Sequence, residues 1–261
     1  MTILDFEKPL FALEKRLEEL VKKCTLETID LDPEIRSFNE KIAAMRLSLV
    51  SSLSPEDRLL LVRHPDRPRA RSYIRDAFSS FIEIRGDRIE ADDPDIVCGF
   101  ATIEGIRCAV IAQEKPSNFS PVRAEGFRKA QRMIHLAEKF HIPLVSLVDT
   151  SAEGNEIETE AAAACVRTLS ARSIPAVAVI IGETGGSLAA LAFSVAERVL
   201  ILENACAPGS PFLTSREMLT RGLVHAIIPE PPGGAHRDLS AAADAFREGV
   251  SVTLAELKDG Q

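Results

Sequence analysis

Between Val179 and Ala205 the sequence reads VIIGETGGSLAALAFSVAERVLILENA: an apolar run, a turn holding Gly182, Gly185 and Gly186, an Ala/Leu stretch, and a second apolar run. Glycines where a strand gives way to a helix serve two chemistries. They let a phosphate approach the backbone closely, as in dinucleotide sites. They also aim bare N–H groups, reinforced by the helix dipole, at negative charge that develops during a reaction. For the first chemistry, Glu203 lies about twenty residues on, where a ribose-binding acid would sit. The spacing is nevertheless G-x-x-G-G rather than G-x-G-x-x-G, and no Gly-Lys-Ser/Thr follows. The second chemistry makes Gly185, Gly186 and Ser187 candidate oxyanion donors, suited to an enolate or a ureido oxygen. A third reading needs no chemistry, because glycine permits a tight turn at no steric cost.

Other reactive types are scattered. Ser187 lacks a G-x-S-x-G setting, and no Ser-His-Asp order is visible. His64 has no metal-ligand companion at i+4, and the five cysteines form no C-x-x-C pair, so this chain carries no zinc ribbon and no disulfide framework; no bound metal is expected. Two basic pairs remain as anion-binding candidates. Arg128 and Lys129 in EGFRKA form either an anion patch or an exposed helix face; His236 and Arg237 in GGAHRD either orient a phosphate or hold a turn by Arg–Asp pairing.

Parallel-sheet elements must position the glycine turn. Residues 97–113 read as two strands around Glu104-Gly105, and 124–139 as a helix. IPLVSLVDT reads as a buried strand, 156–171 as a helix, IPAVAVII as a strand, 188–197 as a helix and RVLILEN as a strand. That alternation predicts an α/β fold with a parallel sheet, whose sites lie at strand C-termini. Upstream, Leu10, Leu13, Leu17, Leu20 and Cys24 form one apolar stripe and Ile35, Phe38, Ile42, Met45 and Leu49 a second, introduced by Asp32 and Pro33. They predict a helical hairpin arm over residues 1–53, ahead of a main domain over 54–261, and an arm this short needs cover from the domain or from another subunit.

The net charge of −8 and the absence of Trp argue against nucleic acid and anionic membranes as partners. No apolar run is long enough to span a bilayer, and the N-terminus is acidic, so a cytoplasmic location is expected.

Five stretches, LDFEKPLFALEKRLEEL, RHPDRPRARSYIRDAF, GDRIEADDPDIVCGFATIEG, NFSPVRAEGFRKAQRMIHLAEKFHIPLVSLVDT and IIPEPPGGAHRD, recur in order over residues 4–238. The sequence strongly resembles the α subunits of bacterial acetyl-CoA carboxylase carboxyltransferases. The resemblance implies a crotonase-like fold of ββα units. It also implies a β-type partner subunit, with a biotin carboxyl carrier or acyl carrier protein nearby, in a hetero- or homo-oligomer. The co-substrates it implies are carboxybiotin and an acyl-CoA. In that chemistry a carboxyl group moves from N1′ of biotin to the α carbon of a thioester, and charge builds on the ureido and enolate oxygens. The resemblance assigns the turn from Gly182 to Ala190 to the biotin side.

The sequence departs from the family pattern around that turn. The family's second Gly-Gly pair aligns with Leu188-Ala189 when the following helix is matched. After VDT, a glycine-lined loop is replaced by the shorter Ser151-Ala152-Glu153-Gly154-Asn155, which leaves Gly154 as the candidate substrate-contact glycine. A basic run before NF is lost, and a helical insertion after Cys206 is missing. These changes give two expectations: carboxyl transfer or a related decarboxylation on an altered thioester, or a non-catalytic partner subunit on a retained scaffold.

Overall fold

The two apolar stripes fold as α1 (Lys8–Glu27) and α2 (Asp32–Ser51), which pack on each other in the computed structural model. That model describes residues 2–27, 32–114, 122–150, 159–185 and 188–259. Leu10 and Ile42 are fully buried, while Leu13, Leu17, Phe38 and Met45 are half-buried. Phe38 is flanked by cations instead of apolar groups, with Arg16 5.9 Å and Lys41 5.7 Å from its ring centroid. A third helix, α3 (Pro55–Val62), starts where Ser54 Oγ accepts the Asp57 N–H at 3.1 Å and Pro55 takes the first helical position. These helices belong to a unit made of Met1–Arg67 and Pro231–Asp238.

Pro68–Glu230 and Leu239–Gln261 form the second unit. In chain order it holds α4 (Ala70–Ala77), β1 (Ser79–Glu83), β2 (Ile96–Ile103), β3 (Ile106–Gln113), α5 (Ala124–Phe140), β4 (Leu144–Val148), α6 (Thr159–Ala171), β5 (Ala176–Ile180) and α7 (Leu188–Ser194). There follow β6 (Arg198–Leu202), β7 (Cys206–Ala207), β8 (Leu213–Thr214), α8 (Ser215–Thr220), β9 (Ala226–Ile228) and α9 (Leu239–Asp259). One seven-stranded sheet runs β1-β2-β3-β4-β5-β6-β9, and β7 pairs with β8 apart from it.

The sheet is mixed, where the alternation of strands and helices predicts a parallel one. Its first three strands are antiparallel, and β2 turns back into β3 because Glu104 and Gly105, at φ +44° and +76°, make a two-residue hairpin turn of the kind that needs positive φ at both positions. From β3 onward every pairing is parallel. Every residue of β4 and β5 is buried, which requires cover on both faces of the sheet. Helices α5, α6 and α7 pack side by side, with α5 on β2 and β3 and α7 on β4 and β5. Helices α4 and α9 pack on each other and reach β1, β3, β5 and β9. Tyr73 stacks on Phe246 at 4.8 Å between α4 and α9, and Phe127 on Phe193 at 5.6 Å between α5 and α7.

Strand order follows chain order throughout the parallel part, so the winding never reverses. A dinucleotide crevice opens where it does reverse. The phosphate-cradle reading of the glycine turn therefore lacks its architectural partner. One element boundary differs from expectation, in that the helix predicted over 188–197 ends at Ser194; the one predicted over 156–171 ends at Ala171 as expected, and its first residues, 156–158, lie outside the described residues.

Candidate functional site

The glycine turn leaves the carboxyl end of β5 and is tied to three neighbouring strand ends. Gln113, the last residue of β3, accepts the Asp149 N–H at 3.1 Å and the Thr150 hydroxyl at 2.7 Å on one side-chain oxygen. Asp149, just past β4, in turn accepts the Glu183 N–H on Oδ1 at 2.9 Å. The Thr150 N–H donates to Glu183 O at 2.8 Å, Thr184 N–H to Cys206 O at 2.9 Å, and Cys206 N–H to Gly182 O at 3.1 Å. Gly182 is required by close approach: a Cβ there would stand 2.3 Å from Asp149 Oδ1. Beside this mesh, burial pushes the Glu114 carboxyl up, against the bond it accepts from the Arg71 N–H at 2.7 Å.

The mesh engages the N–H groups of Glu183 and Thr184, whereas that of Gly185 has no protein acceptor among the described residues. Gly185 is half-exposed, and Leu188, the first residue of α7, packs its side chain against the hydrophobic core. Gly154, Gly186 and Ser187 lie outside the described residues. Gln113, Asp149, Thr150 and Glu183 are absent from the sequence-level candidates; their signal is position, since each closes or follows an apolar run whose C-terminal end faces the site.

Both basic pairs are engaged inside the fold. Arg128 donates from Nε to Asp87 Oδ2 at 2.7 Å and from Nη2 to Glu90 at 3.2 Å. Burial alone would raise the Asp87 carboxyl, but the N–H groups of Glu90 and Ile89 and the Arg128 guanidinium hold it far below the usual range. Lys129 is 2% exposed, and its ammonium donates to the Asp92 carboxylate and the Asp93 carbonyl. Together they gather residues 87–93 against α5.

His236 and Arg237 do the same for the first unit. His236 Nε2 donates to Glu7 Oε1 at 3.0 Å; Arg237 reaches the same oxygen from Nη2 at 2.8 Å and Glu14 Oε2 from Nη1 at 3.1 Å. Arg237 thus pairs with glutamates of the N-terminal segment. Glu14 is shared with Arg46 at 2.7 Å. The loop closes on Gly233 and Gly234, at φ +93° and +108°, and a Cβ on Gly234 would meet the His236 ring at 3.1 Å. His64 stacks on His236 with centroids 4.2 Å apart. The His64 imidazole accepts the Asp66 N–H on Nδ1 at 3.1 Å, which places its proton on Nε2, 2.9 Å from Thr2 O. Burial, then the neighbouring His236, pushes His64 down and keeps it neutral.

Ligand-type atoms of Glu7, His64 and His236 therefore lie within 4.8 Å of one another, companions for His64 that no local spacing revealed. Each ring Nε2 already carries a bonded proton, and Glu7 faces the Arg237 guanidinium, so a cation there would meet a cation. The cluster is a buried hydrogen-bond network. Burial alone raises the Glu7 carboxyl, but bonds from His236, the Leu4 N–H and Arg237 outweigh it and bring it to about 2.

A sheet wound in chain order, with crossover helices and a glycine turn at its carboxyl edge, defines a crotonase-like carboxyltransferase fold. Among solved structures, transcarboxylase 12S with hydrolyzed methylmalonyl-coenzyme A bound superposes with a TM-score of 0.54 at 18% identity, over 74% of this chain and 45% of that one. The Pseudomonas malonate decarboxylase MdcD–MdcE hetero-dimer gives 0.55 at 18% identity, over 72% of this chain and 86% of that one. These likenesses speak for the fold. Sequence goes further: the model of the acetyl co-enzyme A carboxylase carboxyltransferase-like family matches residues 3–208 and 210–261. The acetyl-coenzyme A carboxylase carboxyl transferase subunit alpha of Thermus thermophilus is 37% identical over 98% of this chain and 92% of its own length. That of Desulfitobacterium hafniense is 34% identical over 98% and 91%. The chain belongs to this carboxyltransferase family, as an α-type subunit.

Proposed function

We propose that this chain works with a separate β-type subunit in the cytoplasm to move a carboxyl group from carboxybiotin to an acyl thioester, or to run a related decarboxylation. Family membership supports the reaction class. The observation that carries the site is the Gly185 N–H, held at the mouth of a turn whose preceding donors are both engaged by its own chain. Transfer breaks the N1′–carboxyl bond, leaving negative charge on the ureido oxygen, while loss of the thioester's α proton puts charge on the enolate oxygen. The Gly185–Ser187 turn supplies preorganised donors to the ureido oxygen, and the β-type subunit supplies those for the thioester. Carboxylate formation at the α carbon and protonation of N1′ complete the exchange. Coenzyme A anions meet the α-type subunit at His236–Arg237 or Arg128–Lys129 only through groups left over from the pairs described above.

The changed surroundings of the turn, with Gly154 in a shortened loop, widen the range of acceptors to be tested from acetyl-CoA to other acyl-CoA and carrier-protein thioesters. The test is steady-state turnover by the purified α/β pair with carboxybiotin and a panel of acyl-CoA and carrier-bound thioesters. Turnover of at least one supports the reading; none across the panel, from a pair that assembles, refutes it and leaves the chain a scaffold subunit.

A further inference from the structure

A cavity of about 480 Å³ lies on the sheet far from the glycine turn, where β1, β2 and β3 run past the end of α5. It is there because α5 stops early. His141 takes a left-handed conformation at φ +51°, which ends the helix at Phe140 and leaves the sheet beyond it bare. Volumes of about 300–1,000 Å³ are typical of small-molecule sites.

The lining is polarised along the strands. Ile82 and Phe100 are cross-strand partners, and Phe140 sets its ring edge-on to Phe100 at 5.7 Å, so one end is apolar. Ile82 and Phe140 are exposed to 66% and 56%. Two residues along β2, about 7 Å away on the same face, Thr102 stands opposite Arg107. Ser80 joins them, in a strand that shifts register between Ser79 and Ile82 and with φ at +55°. Among the described residues, the side chains of Ser80, Thr102 and Arg107 have no hydrogen-bond or ion-pair partner, although the chain holds 39 acidic residues against 31 basic ones. One end of the apolar cavity thus carries a guanidinium and two hydroxyls, those of Arg107 and Ser80 exposed and that of Thr102 half-buried.

We infer that this cavity binds a medium-chain carboxylate, with the carboxylate on Arg107, Thr102 and Ser80 and the chain along Phe100, Ile82 and Phe140. Guanidinium matches carboxylate in shape and charge, and no other cation lines the cavity. Size agrees: a methylene takes about the 30 Å³ of a liquid water, so a ten-carbon chain needs about 300 Å³. The inference is independent of carboxyl transfer, because no residue of the cavity belongs to the glycine turn or its mesh.

The test is calorimetric titration of the full-length chain with decanoate below its micelle range, beside decyltrimethylammonium, which keeps the chain and inverts the head. One saturable decanoate site per chain, with none for the cation, is expected. Arg107→Gln is expected to weaken decanoate at least tenfold, roughly the loss of one charge-assisted hydrogen bond. Phe140→Ser is expected to weaken it too, and both positions are exposed enough for the variants to fold, which thermal melts check. Equal binding of the two heads, no saturable site, or unchanged affinity in Arg107→Gln overturns the inference. So does a site that disappears when the chain is bound to its β-type partner, since a protein surface then covers it.

Discussion

Gly182 offers the sharpest perturbation of the candidate site, because one methyl group there has nowhere to go. In Gly182→Ala the new Cβ falls 2.3–2.7 Å from all three carboxyl atoms of Asp149, well inside van der Waals contact. Asp149 is short, and moving it breaks its bond to the Glu183 N–H and disturbs the two contacts to Gln113 that follow from its backbone position. Overpacking of a well-filled site costs about 1–3 kcal/mol, and a charged hydrogen bond about 1.5–3 kcal/mol. The sum, about 2.5–6 kcal/mol, corresponds to a Tm lower by roughly 5–24 °C for a unit of this size. Asp149→Ala alone removes the carboxylate and with it the bond to the Glu183 N–H, and in the double variant the clash with that carboxylate cannot occur. Gly182→Ala/Asp149→Ala is therefore expected to resemble Asp149→Ala, so that the coupling in the cycle equals the whole Gly182→Ala effect, about 2.5–6 kcal/mol. Thermal melts give the stability cycle, and carboxyl-transfer turnover by the α/β pair gives the functional one, where both singles fall because the turn is no longer held. A Gly182→Ala protein as stable and active as wild type, or strictly additive effects, refutes the proposed mesh.

Four further expectations rest on different parts of the chain. Gly186→Val, in the turn but outside the described residues, is expected to lower turnover at least about a hundredfold, the usual cost of one oxyanion donor; full activity means that the glycines only turn the chain. Lys129→Met removes the buried ammonium that binds the partly exposed Asp92 carboxylate and the Asp93 carbonyl and is expected to destabilise the fold by about 1–3 kcal/mol, while the KM for the thioester moves less than twofold; a large rise in KM with an unchanged Tm assigns Lys129 to substrate binding instead. Native alkylation with iodoacetamide at pH 8 is expected to label the half-exposed Cys24 first, because burial pushes the Cys98, Cys108 and Cys165 thiols up to about 12; early labelling of those three counts against their burial. Glu7→Gln is expected to loosen the N-terminal segment at neutral pH, as read by hydrogen exchange of residues 2–20. The Glu7 carboxyl is held down at about 2, so its contribution is complete above its unfolded value near 4.5 and disappears as pH falls through about 2. At about 1.4 kcal/mol per pH unit that contribution is about 3 kcal/mol, and a variant difference that stays constant down to pH 2 refutes it.

What could be read in advance divides by the range of the interactions involved. Hairpin stripes, the Glu104-Gly105 turn and the strands ending at Gln113, Val148 and Ile180 follow from neighbours three to ten residues apart, where periodicity and turn chemistry act. Helix α3 carries a local signal too, the Ser54-Pro55 start, but at eight residues it is too short for periodicity to mark it. Helix α9 carries Phe246, Val250 and Leu254 at intervals of four, all fully buried, but the β-branched Val250, Val252 and Thr253 blur a helical reading. The functional motifs were harder for a different reason. GGAHRD and EGFRKA are distinctive strings, and distinctive basic strings invite a ligand; in the structure their cations answer carboxylates of their own chain, His236 to Glu7 across 229 residues. Nothing in local spacing can announce such a partner. The residues that do face the proposed chemistry, Gln113, Asp149 and Glu183, look ordinary in the sequence, because their role is to hold backbone N–H groups in place, and a backbone donor leaves no side-chain signature beyond the glycine that makes room for it.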